Sequence, residues 1–185
     1  IFVDTDSNRI KKISVRYGAK VPFLRNPKLA KDNVSINFST YYFISKLKKL
    51  YNKENKRLDI KNIFQLMPNC PFREGKDIKK LYKIFKTTKT KFLISHFQFL
   101  FGNIWWAATI KNRKTFKLFK KTYTKRSQDL KTTFCPTGAI WIANYRAFLK
   151  SKTFYGKGYI VGILGWKQGL DIDNMEELKI AEKLV

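Results

Sequence analysis

The sequence predicts an α/β fold, a three-layer sandwich built on a mainly parallel sheet. Three observations predict it. Short β-prone runs alternate with segments of helical periodicity along the whole chain. Hydrophobic residues make up 44% and aromatic residues 16% of the 185 positions, enough apolar area for a real core. No linker, repeat or low-complexity stretch interrupts the pattern, so residues 1–185 read as one domain.

Each element has its own signal. Ile1-Phe2-Val3 reads as a strand that runs into the polar Asp4-Thr5-Asp6-Ser7. A chain start inside a buried strand is unusual, so a preceding segment is expected. Ser7 to Tyr17 reads as a helix with Ile10, Ile13 and Tyr17 at helical spacing and Gly18 as its stop. A short strand is expected over Lys20 to Leu24. A second helix is expected over Asn37 to Tyr51, with Phe38, Tyr41, Tyr42, Ile44, Ser45 and Leu47 on one broad side. Ile60 to Met67 reads as a buried strand that ends at Pro68-Asn69-Cys70-Pro71. Glu74 to Thr87 is a basic helix with Ile78, Leu81, Tyr82 and Phe85 as its core stripe. Lys91 to Phe97 is the next strand.

Trp105 to Ile110 and Thr115 to Phe119 read as a hairpin around Lys111-Asn112-Arg113-Lys114. Gly138 to Ala143 and Tyr159 to Leu164 are further strands, with a helical turn over Tyr145 to Lys150 between them. Asn174 to Leu184 closes the chain as a helix, with Asn174 as N-cap and Glu177 at the capping-box position.

The formal charge is +26, from 39 basic and 13 acidic residues. Such an excess suggests a nucleic-acid partner. Against that, only eight of the basic residues are Arg, and Arg is the side chain suited to bidentate phosphate and base recognition. The Lys residues are also dispersed over several segments, as on a solvated surface. A nucleic-acid-binding module therefore stays a rival reading, not the main one. Cys70 and Cys135 form no C-x-x-C pair, and with a single His they make no zinc site. Two isolated cysteines fit a reduced, cytoplasmic setting. The most apolar stretch, Phe99 to Ile110, is broken by Gly102-Asn103 and is too short to span a bilayer.

In an α/β sheet the ligand sits beyond the carboxyl ends of the strands. That singles out Asp4 to Ser7, Asn69 to Arg73 and Asp171 to Asp173. Asp171-Ile172-Asp173 is the sharpest feature. In an extended segment both carboxylates point to one face, with Ile172 anchored in the core. Two such carboxylates suit a magnesium ion completed by substrate phosphates. The alternative is that Asp173 only favours the start of the closing helix. Arg126, with Gln128 and Asp129 beside it, is placed to clamp a carboxylate or phosphate, or else lies in a plain exposed loop. His96 reads as a packed histidine. Trp105-Trp106 reads as core or interface. There is no G-x-S-x-G, Walker A, G-x-G-x-x-G or H-E-x-x-H.

Four segments, in order, resemble the motif blocks of one enzyme family. Asp4-Thr5-Asp6, Tyr17-Gly18-Ala19 and Arg25 to Asp32 resemble "S-T-D … YGA … RP-x-x-LA-x-D". LMPNCPFREGKDI resembles "L-Q-P-T-S-P-L-R … D-I". KRSQDLKTTFCPTGAIWI resembles "R-x-Q-D-L … NGAIY-I". KTFYGKGYIVGILGWKQGLDIDNMEELKIAEKL resembles "K-T-F-Y-G … DID-x-x-E-D-L-x-x-AE". These blocks belong to the acylneuraminate (CMP-sialic acid synthetase) cytidylyltransferases, which include the pseudaminic and legionaminic acid enzymes.

The resemblance implies a nucleotide-diphospho-sugar-transferase fold whose N-terminal strand-loop-helix unit precedes Ile1. It implies transfer of CMP from CTP to a 2-keto-3-deoxy sugar acid, an acidic nine-carbon sugar, with release of pyrophosphate for surface glycans such as lipopolysaccharide. It implies magnesium at Asp171 and Asp173, which would be the catalytic carboxylates, and a homodimer. Arg25 would lie at the cytidine pocket. Arg73, Arg126, Gln128 and Trp141 would bind substrate, Trp141 standing at the family's Tyr position. A keto-deoxyoctonate enzyme is the neighbouring alternative. Without the phosphate-binding loop, the 185 residues alone are expected to be inactive. Met67 for Gln, Asn69-Cys70 for Thr-Ser and Thr137 for Asn are departures from the family pattern, and they bear on which sugar is used.

Overall fold

The computed structural model describes residues 1–99 and 103–185. They divide into two compact units, Ile1–Lys61 with Tyr145–Phe154, and Asn62–Asn144 with Tyr155–Val185.

In the first unit, α1 spans Asn8–Arg16. Ser7 caps it, its Oγ accepting from the Ile10 N–H at 3.3 Å. Gly18, at φ +83°, supplies the left-handed turn that stops it. The helix forms where the pattern places it, yet none of its residues is buried: Ile10, Ile13 and Tyr17 are 48%, 49% and 84% exposed. The strand expected over Lys20 to Leu24 shrinks to one parallel bridge between Phe2 and Lys20. Pro22, with no N–H to donate, follows directly and prevents a longer ladder.

Helix α2 spans Ile36–Lys53. Its buried face is Ser39, Thr40, Phe43, Ile44 and Leu47. Phe38 and Tyr42, expected on the inner side, are exposed. Positions 39, 43 and 47 fall on one line at the helical repeat, and 38 and 42 lie a step around from it. Phe43 packs on Phe2 and Phe23 at centroid distances of 6.1 and 5.1 Å. Helix α4, Tyr145–Ser151, buries Phe148 against Phe154 at 4.7 Å.

The second unit is built on a four-stranded sheet in the order β1-β5-β2-β6. The strands are β1 Asn62–Gln65, β2 Phe92–Gln98, β5 Phe134–Asn144 and β6 Ile160–Ile163. β5 runs antiparallel to both β1 and β2, while β2 and β6 are parallel. The expectation of a mainly parallel sheet is therefore corrected. Three strands share a direction, but the reversed β5 sits between two of them, so β2–β6 is the one parallel pair of this sheet. The reason lies in the connection. Between β2 and β5 the described residues form no α-helix, and parallel pairing needs a long crossover, usually helical.

Helix α3, Gly75–Thr87, lies on β2, β5 and β6. It buries Leu81 and Phe85, with Ile78 and Tyr82 at the edge of the same core, as the predicted stripe requires. Leu93, Ile140 and Ile142 fill the sheet side of that core. Gly156 marks a close approach: a Cβ there would fall 2.1 Å from the Phe92 ring.

The predicted hairpin forms as β3 Ala108–Lys111 and β4 Lys114–Lys117, a separate two-stranded sheet. Asn112 and Arg113 both have positive φ, 49° and 62°, which is the geometry of a two-residue primed turn. Trp105 and Trp106 lie outside it in a 3-10 turn, Ile104–Trp106. Their indole N–H groups donate to the Lys131 and Lys125 carbonyls at 2.8 and 3.1 Å. Leu100 to Gly102, part of the apolar stretch named above, lie outside the described residues. After the four-residue α5, Trp166–Gly169, the chain closes with α6, Met175–Lys183. Asn174 and Glu177 form the predicted capping box. Among the described residues no helix is long and apolar enough to cross a membrane.

Candidate active site

Within the second unit, the turn after β1 meets the segment before α6. The contact runs residue by residue. The Cys70 thiol donates to Asp171 Oδ1. The Ile172 N–H donates to the Asn69 carbonyl at 2.9 Å. Asn69 Nδ2 donates to Asp173 Oδ1 at 2.9 Å. Two neighbouring residues of one loop thus hold three successive residues of the other through side chain, main chain and side chain.

Thr137 of β5 joins from below. It is buried, and its hydroxyl donates to the Gly169 carbonyl at 2.7 Å and lies 3.3 Å from Asp171 Oδ1. The Thr137 carbonyl in turn accepts from Ser95 Oγ at 3.0 Å and from Trp141 Nε1 at 2.9 Å. Ser95 lies where the β2–β5 register shifts, between Ile94 and His96. That irregularity turns its hydroxyl inward to serve the β5 backbone, from which it also accepts the Ile140 N–H at 2.9 Å.

Arg73 secures the turn. Its Nη1 donates to the carbonyls of Met67 and Cys70, at 2.5 and 2.9 Å. Burial draws its guanidinium below the ordinary arginine value, which marks how far this charge is withdrawn from water. The Cys70 thiol is pushed up to about 12, first by burial and then by its hydrogen bond to the Asp171 carboxylate. It is a neutral donor at physiological pH.

The predicted site residues fall as follows. Asp171 is half-buried and Asp173 is exposed; Ile172 is half-buried rather than a core anchor. Trp141 is buried in β5, its ring edge-on to Tyr155 at 5.4 Å. Tyr155 packs in turn on Tyr159 at 5.5 Å, and both tyrosines are partly exposed. Burial raises the Tyr155 phenol. Arg126 and Gln128 lie on an exposed loop. Arg126 Nε and Nη2 donate to the two Asp129 oxygens at 2.9 and 3.2 Å. Ser127 and Leu130 of that loop line a cleft of about 380 Å³ with Gln98, Asn103, Trp106 and Thr133.

Arg25 belongs to the first unit. Its Nε donates to Asp4 Oδ2 at 2.9 Å and its Nη2 to the Asp4 carbonyl at 2.8 Å. Burial raises the Asp4 carboxyl and outweighs the adjacent guanidinium. His96 is buried, with Nδ1 3.1 Å from the Ile94 carbonyl, a packed residue as read from sequence.

Sequence reasoning did not assign roles to Asn69, Cys70 and Thr137. Each was a departure from a motif. Their common signal is spatial: all three converge on the Asp171–Asp173 segment.

No protein-family model matches the chain. It is 26% identical over 184 residues to a pseudaminic acid cytidylyltransferase of Campylobacter jejuni, covering 100% of this chain and 77% of that protein. It is 26% identical over 181 residues to an N-acylneuraminate cytidylyltransferase of Escherichia coli, covering 98% of this chain and 41% of that protein. A CMP-N,N'-diacetyllegionaminic acid synthase of Legionella pneumophila is 26% identical over 190 aligned residues, with 100% of this chain and 77% of that protein covered. Among solved structures, a CMP:2-keto-3-deoxy-manno-octonic acid synthetase complexed with CTP superposes with a TM-score of 0.64. That match covers 99% of this chain and 79% of the other at 12% identity, and the two share a mixed α/β fold.

Proposed function

We propose that this chain, homologous along its whole length to the pseudaminic, legionaminic and N-acylneuraminate cytidylyltransferases, transfers CMP from CTP to a nonulosonic acid. The observation that carries the reading is the placement of Asp171 and Asp173. They are two carboxylates two residues apart, both oriented by the turn that ends β1. In the reaction the anomeric oxygen of the sugar acid bonds to the α-phosphorus. The bond to pyrophosphate breaks and the hydroxyl proton is lost.

The donor set suits magnesium, a hard cation that takes one or two carboxylates and completes its shell with phosphate and water. Among the described residues no group of three or more His, Cys, Asp or Glu gathers to hold a metal through protein ligands alone. Bound there, magnesium would offset charge on the attacked and departing phosphates. Asp171 and Asp173 would hold it. Arg126, unlocked from Asp129, would bind the sugar carboxylate, with Gln128 beside it and Trp141 behind Tyr155 at the sugar. Arg25 would serve the cytidine. A homodimer is part of the same reading, and exposed Ile110, Phe116 and Leu118 at the hairpin are suited to a subunit contact.

The test is pyrophosphate release from CTP and magnesium by the product of the full reading frame, against a panel of nonulosonic acids and keto-deoxyoctonate. Release with one nonulosonic acid supports the reading and names the sugar. Release with keto-deoxyoctonate alone moves the enzyme to the neighbouring family. In the active protein, Asp173→Asn is expected to lower kcat about a hundredfold or more, the scale of one lost electrostatic partner in the transition state. Near-normal turnover would return Asp173 to a helix-capping role.

A further inference from the structure

The reading above assigns Asp171 and Asp173 but leaves open what holds two like charges in place. The geometry points to Asn69, Cys70 and Thr137 as the positioning residues for this carboxylate pair. This inference rests on the proposed cytidylyltransferase reading.

Cys70 and Asn69 each bond the pair directly, and Thr137 packs against it. Cys70, fully buried, donates its thiol proton to Asp171 Oδ1. Thr137 approaches the same oxygen at 3.3 Å while its hydroxyl is tied to Gly169. Asn69 donates to Asp173 Oδ1, and its carbonyl takes the intervening Ile172 N–H. With Oδ1 of each carboxylate engaged this way, rotation about the side-chain torsions is limited. Groups that orient metal-binding carboxylates are commonly as consequential as the carboxylates themselves.

Two further observations favour a dedicated set over casual contact. Arg73 bonds the Met67 and Cys70 carbonyls, so the turn carrying Asn69 and Cys70 is itself braced. And the three residues are three of the positions at which the chain departs from the motifs it resembles, where Thr, Ser and Asn would stand. Departures scattered through the sequence at 69, 70 and 137 meet at one carboxylate pair. In this unit the Cys70 thiol supplies one donor proton to Asp171, as a hydroxyl would.

The experiment is a Mn²⁺ titration, with manganese replacing magnesium, followed by electron paramagnetic resonance at saturating CTP. It uses the full-reading-frame protein and its Cys70→Ala, Cys70→Ser, Asn69→Ala and Asp171→Asn variants. Unfolding midpoints are measured in parallel. Cys70→Ala is expected to weaken Mn²⁺ binding about tenfold, the range for an outer partner of a metal ligand. Cys70→Ser, which restores a donor, should stay within about twofold of the parent, because a hydroxyl supplies the same single proton. Asn69→Ala should weaken binding through Asp173, and it decides the matter alone if Cys70→Ala fails to fold.

Unchanged affinity in both alanine variants, with binding lost in Asp171→Asn, would overturn the positioning role and leave the functional reading intact. Unchanged affinity in Asp171→Asn as well would overturn both. Equal losses in Cys70→Ser and Cys70→Ala, with normal unfolding midpoints, would also overturn the donor role.

Discussion

Gly156 belongs to the Lys-Thr-Phe-Tyr-Gly segment, where a glycine invites a catalytic explanation. The structure gives a packing one. A Cβ at 156 would lie 2.1, 2.4 and 2.6 Å from Cε2, Cζ and Cδ2 of Phe92. Carbon atoms settle at about 3.5–4.0 Å, so the overlap exceeds what rotamer adjustment absorbs. Phe92 opens β2, pairs with Ala143 and is 4% exposed. Swinging its ring to solvent would forfeit roughly 1.5–3 kcal/mol of burial. Keeping it in place overpacks the site at about 1–3 kcal/mol.

Gly156→Ala is therefore expected to destabilise by about 1–3 kcal/mol, the cost of whichever route is cheaper. For a chain of this size that is a Tm loss of roughly 2–12 °C. Urea unfolding and calorimetry measure it. Phe92→Leu in the Gly156→Ala background should recover about half of the loss, because the smaller side chain vacates the overlapping volume. A loss below about 0.5 kcal/mol, within the range of an ordinary surface change, would refute the packing argument. So would a double variant no better than the single one.

Three other outcomes are expected. Arg73→Met removes two charge-assisted bonds to buried-side carbonyls and should lower stability by about 2–3 kcal/mol, discounted for partial exposure; if instead stability holds and only substrate affinity falls, Arg73 contacts ligand directly. The Cys70 thiol, raised to about 12 from 9.0, favours the folded state fully below pH 9 and loses that contribution as pH climbs toward 12. Between pH 8 and 10 the parent should thus lose about 1.4 kcal/mol more than Cys70→Ser in urea titrations, and parallel curves would show that the thiol titrates normally. Arg126→Ala should raise KM for the sugar acid well above any change in KM for CTP; equal changes would place Arg126 outside the sugar site.

The helices were legible because local chemistry writes them. Asn174 caps its helix as the sequence pattern marks, and Ser7, Ser35 and Glu74 cap theirs within two residues of the helix starts read from sequence. Their inner faces were less legible. A mixed run such as Phe38-Ser39-Thr40-Tyr41-Tyr42 satisfies more than one apolar stripe, and tertiary packing chose the one through Phe43. Strand direction was not legible at all, since periodicity carries no sign, and the reversed β5 follows from a connection rather than from its own residues. At the candidate site, spacing singled out Asp171 and Asp173, and the structure holds both against one turn. Asn69 and Cys70 were not legible, because a hydrogen bond spanning about a hundred positions leaves no local trace.

The position of β5 also sets the order of assembly. Asn62 of β1 pairs with Asn144, and Phe92 of β2 pairs with Ala143 of the same strand. β1 and β2 are not neighbours, so neither finds its sheet partner until β5 has been synthesised. At ordinary elongation speeds the stretch from residue 99 to 144 takes roughly 2–9 s, an interval during which the apolar β2 run waits as an open strand edge in the nascent chain. Such an edge recruits other chains. Lys89 and Lys91 stand directly before that run, where charges act as gatekeepers against pairing with another chain.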